Sequence, residues 1–170
     1  ILWSLLVLIG VVTIARGWPR LKAALGNRRL LMLLLASAVC IAINWFVYTW
    51  AVLNGHVLDT SLGYFINPLV SVAFGVALLG ERLSRVQWLA IGCAVTGVLV
   101  LTAARGSLPL VSLALAFSFG TYGLIRKQAA VDALTGLFVE TLLLTPLAAL
   151  WLASRPAGSF GWPPSLLGLL

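Results

Sequence analysis

The chain has 170 residues, 62% of them hydrophobic and 9% charged, with a mean hydropathy of +1.11. Soluble domains carry roughly a quarter charged residues, so a water-soluble globule is excluded and a set of membrane spans is expected. The net charge of +7 does not point to nucleic acid, because the basic residues sit in short gaps between apolar runs and not along one face.

The first uncharged run covers residues 1 to 15. It is shorter than the roughly 20 residues that cross a hydrocarbon core of about 30 Å, and it has neither the basic start nor the cleavage pattern of a signal peptide. It reads as a truncated span, and the chain as a fragment.

The second run, 30 to 53, carries Ala36, Cys40, Asn44 and Tyr48 at four-residue spacing, with Trp45 beside Asn44. An asparagine deep in hydrocarbon needs a partner. That partner is either another helix or a ligand and water in a central cavity, which Trp45 and Tyr48 would wall with flat rings.

The third run, 60 to 80, places Gly63, Asn67, Ser71 and Gly75 four residues apart, a stripe of small and polar groups that should meet protein and not lipid. Pro68 removes a backbone donor and frees the carbonyl of Tyr64, so a bent or locally open helix is expected beside Tyr64 and Asn67. Broken helices near polar groups are a common way to build a substrate site; a static kink with Asn67 as a packing partner is the other reading. Glu81, just past Gly80, reads as a member of a surface ion pair.

The fourth run, 86 to 104, is featureless apart from Cys93, which with Cys40 reads as a buried small hydrophobe. The fifth, 106 to 125, has Ser112, Ala116 and Gly120 on one stripe that permits close helix packing, and ends on an interfacial Tyr122. The sixth, 133 to 154, contains the single intramembrane acid, Glu140, about 10 Å in from Ala133 at the helical rise. Such a residue usually faces a bundle interior or a water-filled path. It can bind a proton, meet a cationic substrate, or pair with Arg126 or Lys127. A last apolar stretch, Ser165 to Leu170, is too short to span and would begin a further helix.

With no barrel-type alternation in these runs, helices are the one assignment that satisfies the backbone in lipid. Arg16, Arg20, Lys22, Arg28, Arg29, Arg82, Arg85, Arg126 and Lys127 fall in the loops after spans one, three and five, while the alternate loops hold Arg105 and Arg155. That asymmetry puts the first set in the cytoplasm. Trp18, Trp50, Trp88 and Trp151 lie near span ends, as interfacial anchors do. His56 and Asp59, in the outer loop NGHVLDT, do not by themselves make a metal or proton site. The sequence lacks HExxH, P-loop and glycine-rich nucleotide motifs, and no metal, cofactor or catalytic residue is expected.

The run NWFVYTWAVLNGHVLDTSLGYFINPLVSVAFGVALLGERLSRVQWLAI, with SLPLVSLALAFSFGTYGLIRK and TGLFVETLLLTP, closely resembles the RarD-type chloramphenicol-sensitivity proteins, of the EamA branch of the drug/metabolite transporter superfamily. The resemblance covers nearly the whole chain. It implies a multi-pass protein of the bacterial inner membrane, with ten helices in two inverted repeats around a central cavity. Residues 1–104 would be the end of the first repeat and 105–170, from near Ser107, the start of the second. The helix of Tyr64, Asn67 and Pro68 would line the cavity, and Gly80 with Glu81 matches the family's end-of-helix signature.

The reading is therefore an all-α, polytopic helix bundle that carries small metabolites or drugs by alternating access, as an exporter. Asn44, Trp45, Tyr48, Tyr64, Asn67, Pro68 and Glu140 would line the pathway, and protons would be the coupling ion. The alternative is a non-transporting membrane subunit that binds a partner protein through its small-residue stripes.

Overall fold

The computed structural model describes residues 1–106 and 109–154. The expected start of a second repeat near Ser107, Arg155 and the stretch Ser165 to Leu170 lie outside the described residues. Within them the chain forms seven helices and no strand: α1 (Leu2–Ile14), α2 (Trp18–Gly26), α3 (Arg28–Leu53), α4 (Val57–Leu79), α5 (Arg85–Arg105), α6 (Leu110–Ala129) and α7 (Ala133–Ala153).

Local chemistry sets most of these boundaries. The Asn27 side chain accepts from the Leu30 N–H at 3.1 Å to open α3, and Ser84 opens α5 with a reciprocal capping box to Gln87. Asp132 opens α7 by accepting from the Thr135 N–H at 2.9 Å. That bond and a second, from the Thr135 hydroxyl at 2.7 Å, hold the Asp132 carboxyl below its ordinary range. Gly80 closes α4 at φ 67°, a left-handed conformation that glycine adopts without steric cost.

Helices α3, α4, α5 and α7 are each long and apolar enough to cross a membrane, and α1 and α2 form a pair bent by 116°. Helix α2 lies in what reads as a basic loop. Its Pro19 sits in the first turn, where a missing N–H costs nothing, and Leu21 and Ala24 are buried while Arg20 and Lys22 point outward. Trp18 anchors the bend, donating from Nε1 to Thr13 Oγ1 at 3.3 Å and meeting Phe138 edge-on.

Helix α6 is the axis of the bundle, packed most extensively against α4 and α3. At 20 residues it is long enough to span. It carries Ser112, which is buried, and Ser118, Thr121 and Tyr122, which are half-buried against the neighbouring helices. Helix α5 is the opposite case. It leans mainly on α4, none of its most apolar stretch is buried, and Cys93 is exposed there and not buried as expected.

The α4–α6 seam is built from close approach. A Cβ on Gly63 would sit 3.3 Å from Leu115 Cβ, and one on Gly120 would meet Val70 Cγ1 at 2.7 Å. Leu62, Ile66 and Val70 of α4 close around Ala116 of α6. Helix association in lipid gains little from the hydrophobic effect, so contacts of this kind and interhelical hydrogen bonds supply the cohesion. Helix α4 runs unbroken through Pro68.

Candidate functional site

Two cavities lie along the α4–α6 seam, the upper one also bordered by α3, and a separate charged cluster lies among α3, α6 and α7. The upper cavity, about 80 Å³, is lined by Ile41, Asn44, Trp45 and Tyr48 of α3, by Thr60, Gly63, Tyr64 and Asn67 of α4, and by Leu115 and Phe119 of α6. Asn44 reaches across to α6, where its Nδ2 donates to the Leu115 carbonyl at 3.0 Å and to Ser118 Oγ at 2.9 Å. One amide therefore ties two helices together and borders the cavity. Trp45, Tyr48 and Tyr64 form a chain of edge-to-face rings, 5.9 Å and 6.4 Å between centroids. Asn67 faces the cavity from α4 and accepts a long hydrogen bond from Ser71 Oγ at 3.5 Å.

The structure thus brings Asn44, Trp45, Tyr48, Tyr64 and Asn67 to one cavity. Pro68 is exposed and not among the lining residues, although the carbonyl it frees is that of Tyr64. Ser112, Ala116 and Gly120 are buried against α4, and the Ser112 hydroxyl donates to the Asp59 carbonyl at 2.7 Å. Asp59 itself belongs to the first turn of α4 and is buried, so it is not a loop residue. Its carboxylate meets His56 Nδ1 at 3.1 Å, and the His56 ring stacks on Trp50. Among the described residues no three His, Cys, Asp or Glu side chains gather as metal ligands would.

Glu140 lies elsewhere. It is 3% exposed and sits among α3, α6 and α7 at the basic end of the bundle. Ser37 donates to its Oε1 at 2.6 Å, Tyr122 to its Oε2 at 3.4 Å, and Arg126 Nε is 3.6 Å from Oε1. The guanidinium lies over Gly136, where a Cβ would collide with it, and its Nη1 is buried without a hydrogen-bond partner. Glu140 is absent from the lining of the upper cavity. Ser37 and Tyr122 are missed by sequence reasoning, since only the fold brings them to the carboxylate from other helices.

The sequence model of the EamA-like transporter family matches residues 1–103. The protein RarD of Salmonella typhimurium is 46% identical over 173 residues, covering all of this chain and 59% of the relative. This chain belongs to the EamA-like transporter family. An uncharacterized transporter of Pseudomonas aeruginosa is 56% identical over 135 residues, 79% of this chain and 44% of the relative. The chloramphenicol-sensitive protein RarD of the same organism is 35% identical over 176 residues, all of this chain and 59% of that protein. The chain spans about 59% of the length of the first of these relatives, and no solved structure matches it. As an EamA-like chain with four long apolar helices, it is a multi-pass protein of a bacterial membrane.

Proposed function

We propose that the chain is the greater part of a small-solute carrier of the inner membrane, working by alternating access as an exporter of metabolites or drugs. Residues 1–104 and 105–170 are taken as the end of one repeat and the start of the next, a division that the family match to residues 1–103 supports. The observation that carries the reading is the upper cavity. Two amides, the Thr60 hydroxyl and four aromatic rings from three neighbouring helices converge there. Polar groups at membrane depth are costly unless they pair or face a water-filled path. Asn44 pairs with α6, while Asn67 and the Tyr48 and Tyr64 rings border the space.

A carrier moves its solute unchanged, so these groups need only bind and release it. Chloramphenicol, named for one relative, is a reasonable first solute alongside amino acids and other small metabolites. Protons are the coupling ion this reading takes, with Glu140 the intramembrane acid that would bear on it; Glu140→Gln that retains full exchange driven by a pH gradient would remove that element.

The test is counterflow: the complete gene product in liposomes, loaded with unlabelled solute, should accumulate labelled solute saturably. In Asn67→Ala the rate should fall up to about tenfold, the effect of losing one hydrogen bond to solute. Absence of counterflow for every solute tried, with folded protein, would favour a partner-binding subunit.

A further inference from the structure

A second cavity continues down the same seam. About 240 Å³ in volume, it is lined by Ser71, Phe74, Gly75, Leu79 and Glu81 from α4 and its C-terminal turn, and by Gly120, Gly123, Leu124 and Lys127 from α6. The linings of the two cavities are neighbours along both helices. Asn67 and Phe119 line the upper one while Ser71 and Gly120, one turn and one residue further along, line the lower, and the Ser71–Asn67 hydrogen bond crosses between them.

The ends of the seam are held differently. Toward the outer end, Ser112 bonds the Asp59 carbonyl out of solvent, and Gly63 packs against Ser112 and Leu115. At the basic end, Glu81 and Lys127 form an ion pair from α4 to α6 across the cavity. The left-handed Gly80 turns the chain, the Glu81 N–H donates to the Gly75 carbonyl at 3.0 Å, and the carboxylate folds back over Gly75, where the absent Cβ leaves room. The side chains of this pair are 43% and 59% exposed. An exposed pair is worth at most about a fivefold bias between two states, whereas the buried contacts outward of it are far harder to separate. The end that can part at small cost is the one closed by Glu81 and Lys127.

We propose that the lower cavity is the cytoplasmic vestibule of the solute path and that Glu81 with Lys127 is its gate, positioning residues that hold α4 and α6 together without touching solute in the upper cavity. This rests on the carrier reading, and its test is chosen to be separable from it.

In the complete protein, with every native cysteine replaced by serine, a reporter is placed at a half-buried position of the vestibule as Leu124→Cys, and in a second protein as Leu79→Cys. Inside-out vesicles are treated with a membrane-impermeant maleimide, without solute. Labelling should be slow with the pair intact and rise about fivefold in Glu81→Gln or Lys127→Gln. It should return to the slow rate when Glu81→Lys and Lys127→Glu are combined. A rate unmoved by the neutral variants, fast with the pair intact, or not restored by the exchange in either reporter would overturn the gate. Labelling that responds while counterflow fails for every solute leaves the gate and removes the carrier; the reverse removes the gate alone.

Discussion

At the basic end of the bundle, α3, α6 and α7 meet around a carboxylate and a guanidinium; nearer the other end, α3, α4 and α6 meet around two amides. The first cluster is closed. Glu140 has three partners on two other helices, and the one buried side-chain polar atom without a hydrogen-bond partner among the described residues is Arg126 Nη1. The second is open, with Asn44 paired on one side and bordering a cavity on the other. The buried charges Glu140 and Arg126 are paired with each other, whereas the two amides border a cavity. In a bundle surrounded by lipid this follows from desolvation: a charge must be fully countered, whereas an amide tolerates partial hydration by a solute or water.

The sharpest way to break this contrast is to uncouple the charged cluster. Glu140→Gln keeps the shape and leaves the Arg126 guanidinium buried without a counter-charge, which should cost about 3–5 kcal/mol. Combining it with Arg126→Gln should recover much of that loss, since the uncompensated charge is gone. Thermal unfolding in detergent of the two single variants and the double variant reads this directly. A single-variant loss below about 1 kcal/mol would mean the cluster is hydrated and the two regions are alike.

A smaller effect tests the frame that holds both clusters. Gly120→Ala introduces a Cβ 2.7 Å from Val70 Cγ1, so α4 and α6 must separate, at about 1–3 kcal/mol. Gly123→Ala, one turn on, meets nothing within 4 Å and should be neutral or gain up to about 1 kcal/mol from helix propensity. Equal effects of the two on thermal unfolding would show that the seam is loosely packed.

The helical class and most span boundaries are legible in the apolar runs, and the stripe Ser112, Ala116 and Gly120 already marks a face for close packing. What is not legible is which helix lies at the centre. Helix α6 packs most extensively against its neighbours, but nothing in its apolar run marks it as the central one. Helix α2 hides among basic residues, with Pro19 in its first turn. The Gly63–Gly75 stripe lies at the edge of the seam, with Gly63 and Gly75 buried but Ser71 exposed, because the buried contact runs through Leu62, Ile66 and Val70. Glu140 carries its alternatives in the sequence; Arg126 is among them, but Ser37, 103 residues away, is visible only in the fold. Glu81 is in the surface ion pair expected of it, and its partner is Lys127 on α6, 46 residues away.

The smallest of the expected effects decides whether the upper cluster differs in kind. Asn44→Ala removes two interhelical hydrogen bonds, and bonds of this type between membrane helices are worth roughly 0.6–2 kcal/mol because alternative partners exist when they break. Ser118 still donates to the Leu115 carbonyl at 3.1 Å, and the space left by the amide opens onto a cavity that can admit water, so no buried polar group is orphaned. A loss near 1 kcal/mol, against several for Glu140→Gln, would fit a hydrated site beside a dry knot. A loss matching that of Glu140→Gln would make Asn44 a second knot, and the cavity beside it a packing gap and not a place prepared for solute.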